Sequence, residues 1–159
     1  MTPKNKWLVG SVSAVLITAV MHLEGRRNVP YLDVVNVWTV CDGYAQKDVV
    51  RDKTYSDAEC DDMTKTQLEA HGRAMLECVN VPISPNEYAA YTLFSYNVGS
   101  GAFCRSSLLR KLNQDDHVGA CNGLMEWNKA GGKVVRGLTI RREFERKLCL
   151  KPKDENESV

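Results

Sequence analysis

The chain has almost no surplus of either charge: 21 Lys+Arg stand against 20 Asp+Glu, a net charge of +1. A nucleic-acid protein usually shows a strongly basic face, so that class is excluded as a partner. No Cys-x-x-Cys occurs, and His22, His71 and His117 sit in no ligand-like spacing with the cysteines, so no zinc site is expected. Gly99-Ser100-Gly101 lacks both the Gly-x-Ser-x-Gly elbow and an expected partner histidine, which argues against serine nucleophile chemistry. Gly131-Gly132 is too short and unpatterned for a phosphate loop and reads as a flexible turn. Neither an internal repeat nor a second domain is visible, and 159 residues suit one domain with a good core. The longest uncharged apolar run, Trp7 to Leu23, has 17 residues. As a helix it reaches only about 25 Å, the short limit for crossing a bilayer.

That run is nevertheless the first positive feature. Lys4 and Lys6 precede it, giving the basic-then-apolar shape of an export signal. Gly10, Ser11, Ser13 and Thr18 dilute it, so it should enter a membrane without holding there strongly. A buried helix, a signal cleaved after Ala19 and a weak releasable anchor all fit its length. Six cysteines point the same way, to disulfides and an oxidising compartment. Six cysteines allow 15 pairings. The expected ones are Cys41–Cys60, Cys78–Cys104 and Cys121–Cys149, each closing a short loop between neighbouring elements, at roughly 3 kcal/mol apiece in the chain-entropy model.

Element signals are clear over much of the rest. Tyr31 to Val50 is rich in Val, Tyr, Trp and Thr and predicts a hairpin or three short strands, with Asp42-Gly43 as a turn. Ser56-Asp57-Ala58-Glu59 is a capping box that opens a helix from about Asp57 to Val79. Ser84-Pro85-Asn86-Glu87 is a second one, opening an apolar core helix to Asn97. Arg105–Leu112 and Asp116–Trp127 read as short amphipathic helices, and Gly137–Leu150 as a charged one. The tail 151–159 is polar.

Glu24 and Asp33 stand nine residues apart with Gly25 and Pro30 between them, so one helix cannot carry both. The expected geometry is Glu24 at a helix end and Asp33 on the following strand or turn, flanking a cleft. Two such carboxylates can break a glycosidic bond, one donating a proton to the leaving oxygen while the other serves the opposite face of the sugar. On spacing alone, a helix cap at Glu24 and a turn residue at Asp33 are the favoured explanation.

The wording around the acids decides between these readings. Glu24-Gly25-Arg26, Tyr31-Leu32-Asp33 and Val37-Trp38-Thr39-Val40 together resemble the signature of phage-type lysozymes, glycoside hydrolase family 24. In that family a Glu, eight residues, an Asp, five residues and a Thr mark the catalytic positions. The resemblance implies Glu24 as general acid, Asp33 as the carboxylate aiding water and the developing charge, and Thr39 as a water-positioning hydroxyl. It also implies an α+β lysozyme-like fold, with a small β lobe and a larger helical lobe. Phe94-Ser95-Tyr96-Asn97-Val98-Gly99 is similar to a family stretch lining the saccharide cleft, so Asn97, Tyr96 and Gly99 are candidate substrate contacts. Gly137-Leu138 followed by Arg141-Arg142 resembles the C-terminal motif in which an arginine supports the glutamate; a solvated face is the competing reading. Many members have Gly-His-Thr after the threonine, where this chain has Gly43-Tyr44-Ala45, so the histidine's role does not carry over.

With its apolar start, the whole chain looks like the signal-anchor-release endolysins of lambdoid phages. The resemblance then implies residues 1–23 as export signal and releasable anchor, 24–150 as catalytic domain and 151–159 as tail. It implies a metal-free, inverting hydrolase, monomeric, acting on the β-1,4 bond between N-acetylmuramic acid and N-acetylglucosamine in peptidoglycan. Residues 7–23 would tether it to the host inner membrane before release into the periplasm of a Gram-negative host. A lytic transglycosylase, a non-catalytic peptidoglycan-binding module and a disulfide-rich tethered interaction protein are the alternatives. Asp33 and Thr39 argue against the first.

Overall fold

The structure is a computed structural model that describes residues 3–8, 14–33 and 35–152. It divides into two compact units, Val12–Glu69 and Met1–Ser11 together with Ala70–Val159. Of the expected anchor and tail, residues 1–2, 9–13 and 153–159 lie outside the described residues.

In the first unit, α1 spans Ala14–Glu24. No glycine or proline interrupts it, and Leu16 and Val20, one turn apart, are buried. Gly25 stops it: at φ 74° its N–H bonds back to the Met21 carbonyl at 3.1 Å. Next, β1 (Arg27–Leu32) pairs antiparallel with β2 (Trp38–Cys41), matching Tyr31 to Thr39 and Leu32 to Trp38. The register slips between Arg27 and Tyr31, where Pro30 has no N–H to give the ladder. The sheet therefore begins earlier than the expected Tyr31 and ends at Cys41, beyond which only a single bridge, Val40 to Tyr44, continues it. Gly43 at φ 92° turns the chain out of the strand, and the rest of the expected β region is irregular. Val40, Cys41, Tyr55 and Cys60 form this unit's small core, closed by the Cys41–Cys60 disulfide.

The capping box at Ser56 forms as expected. Ser56 Oγ accepts the Glu59 N–H at 3.2 Å and Glu59 Oε2 accepts the Ser56 N–H at 2.8 Å. The helix it opens, α2, spans Asp57–Leu76. It stops short of the expected Val79 because the chain is drawn off by the Cys78–Cys104 disulfide and by Asn113, whose amide donates to the Cys78 carbonyl at 3.0 Å.

The second unit is helical. Its centre is α3 (Pro85–Val98), entered through the Ser84/Glu87 capping box with Pro85 in the first turn. Tyr88, Ala90, Tyr91, Leu93 and Phe94 are all buried, as expected for a core helix. Short helices follow: α4 (Ser100–Cys104), α5 (Ser107–Leu112) and α6 (His117–Gly123), with a 3-10 turn over Leu124–Trp127. Gly131 and Gly132, both at positive φ, form the expected turn, a two-residue hairpin loop between β3 (Lys129–Ala130) and β4 (Lys133–Val134). The last helix, α7 (Arg136–Cys149), packs along α3, and the third disulfide, Cys121–Cys149, ties it to α6. All three disulfides match the expected pairs.

At the amino end a 3-10 helix covers Pro3–Leu8. Asn5 is buried between the Val81 carbonyl (2.9 Å) and the Ile83 N–H (3.1 Å), and Leu8 joins the helical core. Among the described residues no helix is long and apolar enough to cross a membrane.

Candidate active site

The three expected catalytic positions fall in the first unit, on consecutive elements. Glu24 is the last residue of α1 and is exposed. Asp33 follows β1 directly, where the chain reverses towards β2. That turn is built by the aspartate itself. Its Oδ1 accepts the N–H groups of Val35 (2.9 Å) and Val37 (2.8 Å), while the backbone closes between Asp33 and Val37 at 3.0 Å. Asn36, at φ 61°, takes the left-handed position such a turn needs. One carboxylate oxygen is thus locked by backbone donors, and among the described residues no partner is seen for Oδ2. A turn role and a chemical role are therefore compatible in Asp33. Thr39, on β2 opposite Tyr31, is buried; its hydroxyl donates to the Val37 carbonyl at 3.1 Å, which leaves its lone pairs as acceptors.

Two neighbours have partners beyond the reach of the sequence reading. Asp42 is no mere turn residue: its side chain is fully buried, receives Arg26 through two hydrogen bonds (2.6 and 3.1 Å) and accepts the Thr64 hydroxyl at 2.6 Å. Arg26 also reaches Asp61 at 2.7 Å. Hydrogen bonding to Asp42 raises the guanidinium pKa further, against the opposing cost of burial. Sequence reasoning missed this cluster; its one signal was the basic pair directly after Glu24-Gly25. Tyr44 directs its hydroxyl at both oxygens of Asp48 (3.0 Å each), and burial together with that carboxylate raises its pKa. It braces the following loop.

In the helical unit, the expected substrate contacts cluster at the end of α3. Asn97 is exposed, and its amide oxygen accepts Arg142 Nη2 at 2.9 Å. That bond fixes which way the amide faces and leaves its N–H groups as donors. Gly99, at φ 88°, caps α3 by donating to the Ser95 carbonyl at 2.8 Å. Tyr96 meets the His71 ring edge-on, 5.5 Å between centroids. Ser100 does have a histidine partner, contrary to expectation: His71 Nδ1 lies 3.1 Å from its hydroxyl. Burial lowers the His71 pKa, only partly offset by its bond to the Ser95 backbone, so the ring is neutral and can accept. Ser100 opens a short helix after another helix, so the strand-to-helix elbow of a serine nucleophile remains absent.

Arg141 and Arg142 are buried, which overturns the reading of a solvated face. Both bond Glu145 Oε1, at 3.3 and 2.9 Å, and Arg142 lies 4.8 Å over the Phe94 ring.

The family now follows from the whole chain. The sequence model of the phage lysozyme family matches residues 21–145. The chain belongs to the phage lysozyme family. It is a glycoside hydrolase of the lysozyme type, acting on peptidoglycan. Two relatives named as SAR-endolysins, from Enterobacteria phage PA-2 and Bacteriophage PS119, are 43% and 45% identical over 143 residues. Each alignment spans 88% of this chain, and 87% and 86% of the relatives. A mutant of P22 lysozyme, 29% identical, superposes with a TM-score of 0.80 over 88% of this chain and 98% of its own.

The phage-lysozyme acids are not in the pocket of about 460 Å³ that opens in the helical unit. That pocket is lined by Glu87, Asp115 and His117 beside the Cys121–Cys149 disulfide. His117 bridges Glu87 (2.5 Å) and Asp115 (3.2 Å). Burial alone would lower its pKa, but the two carboxylates outweigh it and the net direction is upward. A raised folded pKa stabilises the fold below the unfolded value, about 6.5, and that contribution is lost as pH rises through the folded value. The melting temperature should therefore decline by about 2 °C between pH 6 and 9, and His117→Gln should flatten the decline. A variant whose decline equals wild type would remove His117 from the account.

Proposed function

We propose that this phage lysozyme is an endolysin whose Glu24 and Asp33 form an inverting acid–base pair. Glu24 donates its proton to the glycosidic oxygen between N-acetylmuramic acid and N-acetylglucosamine. A water held between Thr39 and Asp33 attacks the anomeric carbon from the opposite face and gives its proton to Asp33. The bond to the leaving sugar breaks as the bond to water forms, and the new reducing end has the opposite anomeric configuration. The observation that carries the reading is the Asp33 turn. Two backbone N–H groups hold one oxygen, so the other points from a rigid mount, as a base that must align one water requires. Inversion would need carboxyls about 6.5–9.5 Å apart to admit that water. Asn97, Tyr96 and Gly99 are proposed saccharide contacts, Asn97 donating to an N-acetyl carbonyl, and Arg141 or Arg142 is the proposed support of Glu24.

The test is mass spectrometry of muropeptides released from purified peptidoglycan, with proton NMR of the first anomer formed. Reducing ends of inverted configuration support the proposal. Anhydro-muramyl ends would transfer the enzyme to the transglycosylases, and retained configuration would make Asp33 a nucleophile.

The anchor reading joins this one. Residues 7–23 are proposed to carry the monomeric chain to the inner membrane of a Gram-negative host and later to leave the bilayer for the periplasm. It is supported by the weak apolar run behind Lys4 and Lys6 and by the SAR-endolysin names of the relatives. Leu8, Leu16 and Val20, all within that run, are buried side chains of the folded chain, and Glu24 ends the helix that Leu16 and Val20 hold. A run kept in the membrane cannot supply that packing. Gly10→Leu with Ser13→Leu should strengthen the anchor and delay lysis severalfold, read as culture turbidity after induction. Lysis on the wild-type schedule would reject release as the trigger.

A further inference from the structure

Two residues past Glu24, Arg26 makes ion pairs with three carboxylates, Asp42, Asp57 and Asp61. Its Nη2 lies 2.6 Å from Asp42 Oδ2 and its Nε 3.1 Å from Oδ1, a bidentate pair. The same Nη2 lies 2.7 Å from Asp61, and Nη1 lies 3.4 Å from the Asp57 carbonyl and 3.9 Å from its carboxylate. Three segments meet on this one guanidinium: the one leaving α1, the residue directly after the strand that carries Thr39, and α2.

The positions of those elements matter to the site. Gly25 lets the chain turn freely in direction after Glu24, so α1's last turn needs a second constraint to be aimed. Asp42 comes three residues after Thr39, just beyond Cys41, whose φ of 58° swings the chain inward. The ladder between β1 and β2 pairs Arg27 with Cys41 but slips before Tyr31 meets Thr39, so it holds the α1 end of the hairpin by that one pair. The ion pair stands directly beside the Arg27–Cys41 pair and reinforces that end.

We infer that the Arg26–Asp42 pair sets the separation between the acid at the end of α1 and the water-holding side of the hairpin, making Arg26 a positioning residue for hydrolysis. This rests on Glu24 and Asp33 as the acid–base pair. An inverting site is sensitive to that separation, and a displacement of about 1 Å can cost around 10²-fold. Thr64 and Asp61 serve the same joint: Thr64 holds the second lone pair of the buried Asp42 oxygen, and Asp61 fixes the guanidinium from α2.

The experiment measures kcat and KM separately for the full chain on solubilised glycan strands, with melting temperatures in parallel. Arg26→Met should lower kcat by about 10- to 100-fold with KM within about twofold. Arg26→Lys should recover part of it, since a lysine keeps a charge but loses the fork. If Arg26→Met fails to fold because the buried Asp42 carboxylate loses its guanidinium, Arg26→Met with Asp42→Asn removes both charges and should fold, with kcat as low as expected for the single variant. A folded double variant with wild-type kcat would overturn the inference, as would a loss confined to KM. Glu24→Gln run alongside separates the two claims. Activity surviving in it defeats the acid assignment, whereas an inactive Glu24→Gln beside fully active Arg26 variants defeats only the positioning role.

Discussion

Glu24→Gln should reduce peptidoglycan hydrolysis by about 10³-fold, within the range that positioned proton transfer contributes, while the melting temperature stays within about 2 °C of wild type. The side chain is exposed at a helix end, so the amide costs little packing, yet glutamine has no proton to give the leaving oxygen. The hydrogen-bonding shape is nearly unchanged, and a large rate loss therefore reports chemistry rather than folding. Asp33→Asn separates mechanisms within the same assay. An inverting hydrolase loses its water-activating group and should slow by about 10²-fold or more, whereas an enzyme that closes an anhydro ring on a lone acid would keep its rate. The asparagine oxygen still accepts the Val35 and Val37 N–H groups, so the turn survives the change. An active, well-folded Glu24→Gln protein would remove the acid from the mechanism altogether.

The largest stability effect is expected at Arg142. Arg142 and Glu145 have fully buried side chains, and Arg142 also holds Asn97 and lies over Phe94. Removing one partner of a buried pair leaves an uncompensated charge, at a cost of about 3–5 kcal/mol. Arg141 stays beside Glu145 at 3.3 Å, which places Arg142→Met at the lower end, about 3 kcal/mol. For a domain of this size that is a fall of roughly 6–12 °C in melting temperature, read by thermal denaturation. Arg142→Lys should not restore it, because one ammonium cannot reach both Glu145 and Asn97 with a planar fork. With Asn97 released, KM should rise as well. Unchanged stability in Arg142→Met would mean that the Phe94 contact and Arg141 suffice without the pair.

Much of this molecule is written locally, and that part was legible. The two capping boxes at Ser56 and Ser84 start their helices because each satisfies its own orphan N–H groups within four residues. The apolar run after Glu87 makes a buried helix for lack of any polar face. Gly25 and Pro30 separate the two acids onto a helix end and a turn by backbone chemistry alone. The disulfides follow the same logic, since each closes a short loop. The family, and with it the reaction class, was legible in the residues around Glu24, Asp33 and Thr39 together with their spacing, because the resemblance rests on that local wording, and the family model matches residues 21–145.

Other features were decided only in three dimensions. Strand ends were displaced because Pro30 lies where the β1–β2 register slips and Gly43 turns the chain out of β2. Asp42 looked like one more turn aspartate until folding buried it against Arg26 and Thr64, sixteen and twenty-two residues away. His71 and Ser100 became partners across 29 positions. Arg141 and Arg142 turned inward although their helix is highly charged, since Glu145 and Phe94 meet them there. Spacing along the chain determines which groups a turn or a helix can present. Burial and long-range ion pairs depend on which distant segments meet, and that is set by the packing of the whole.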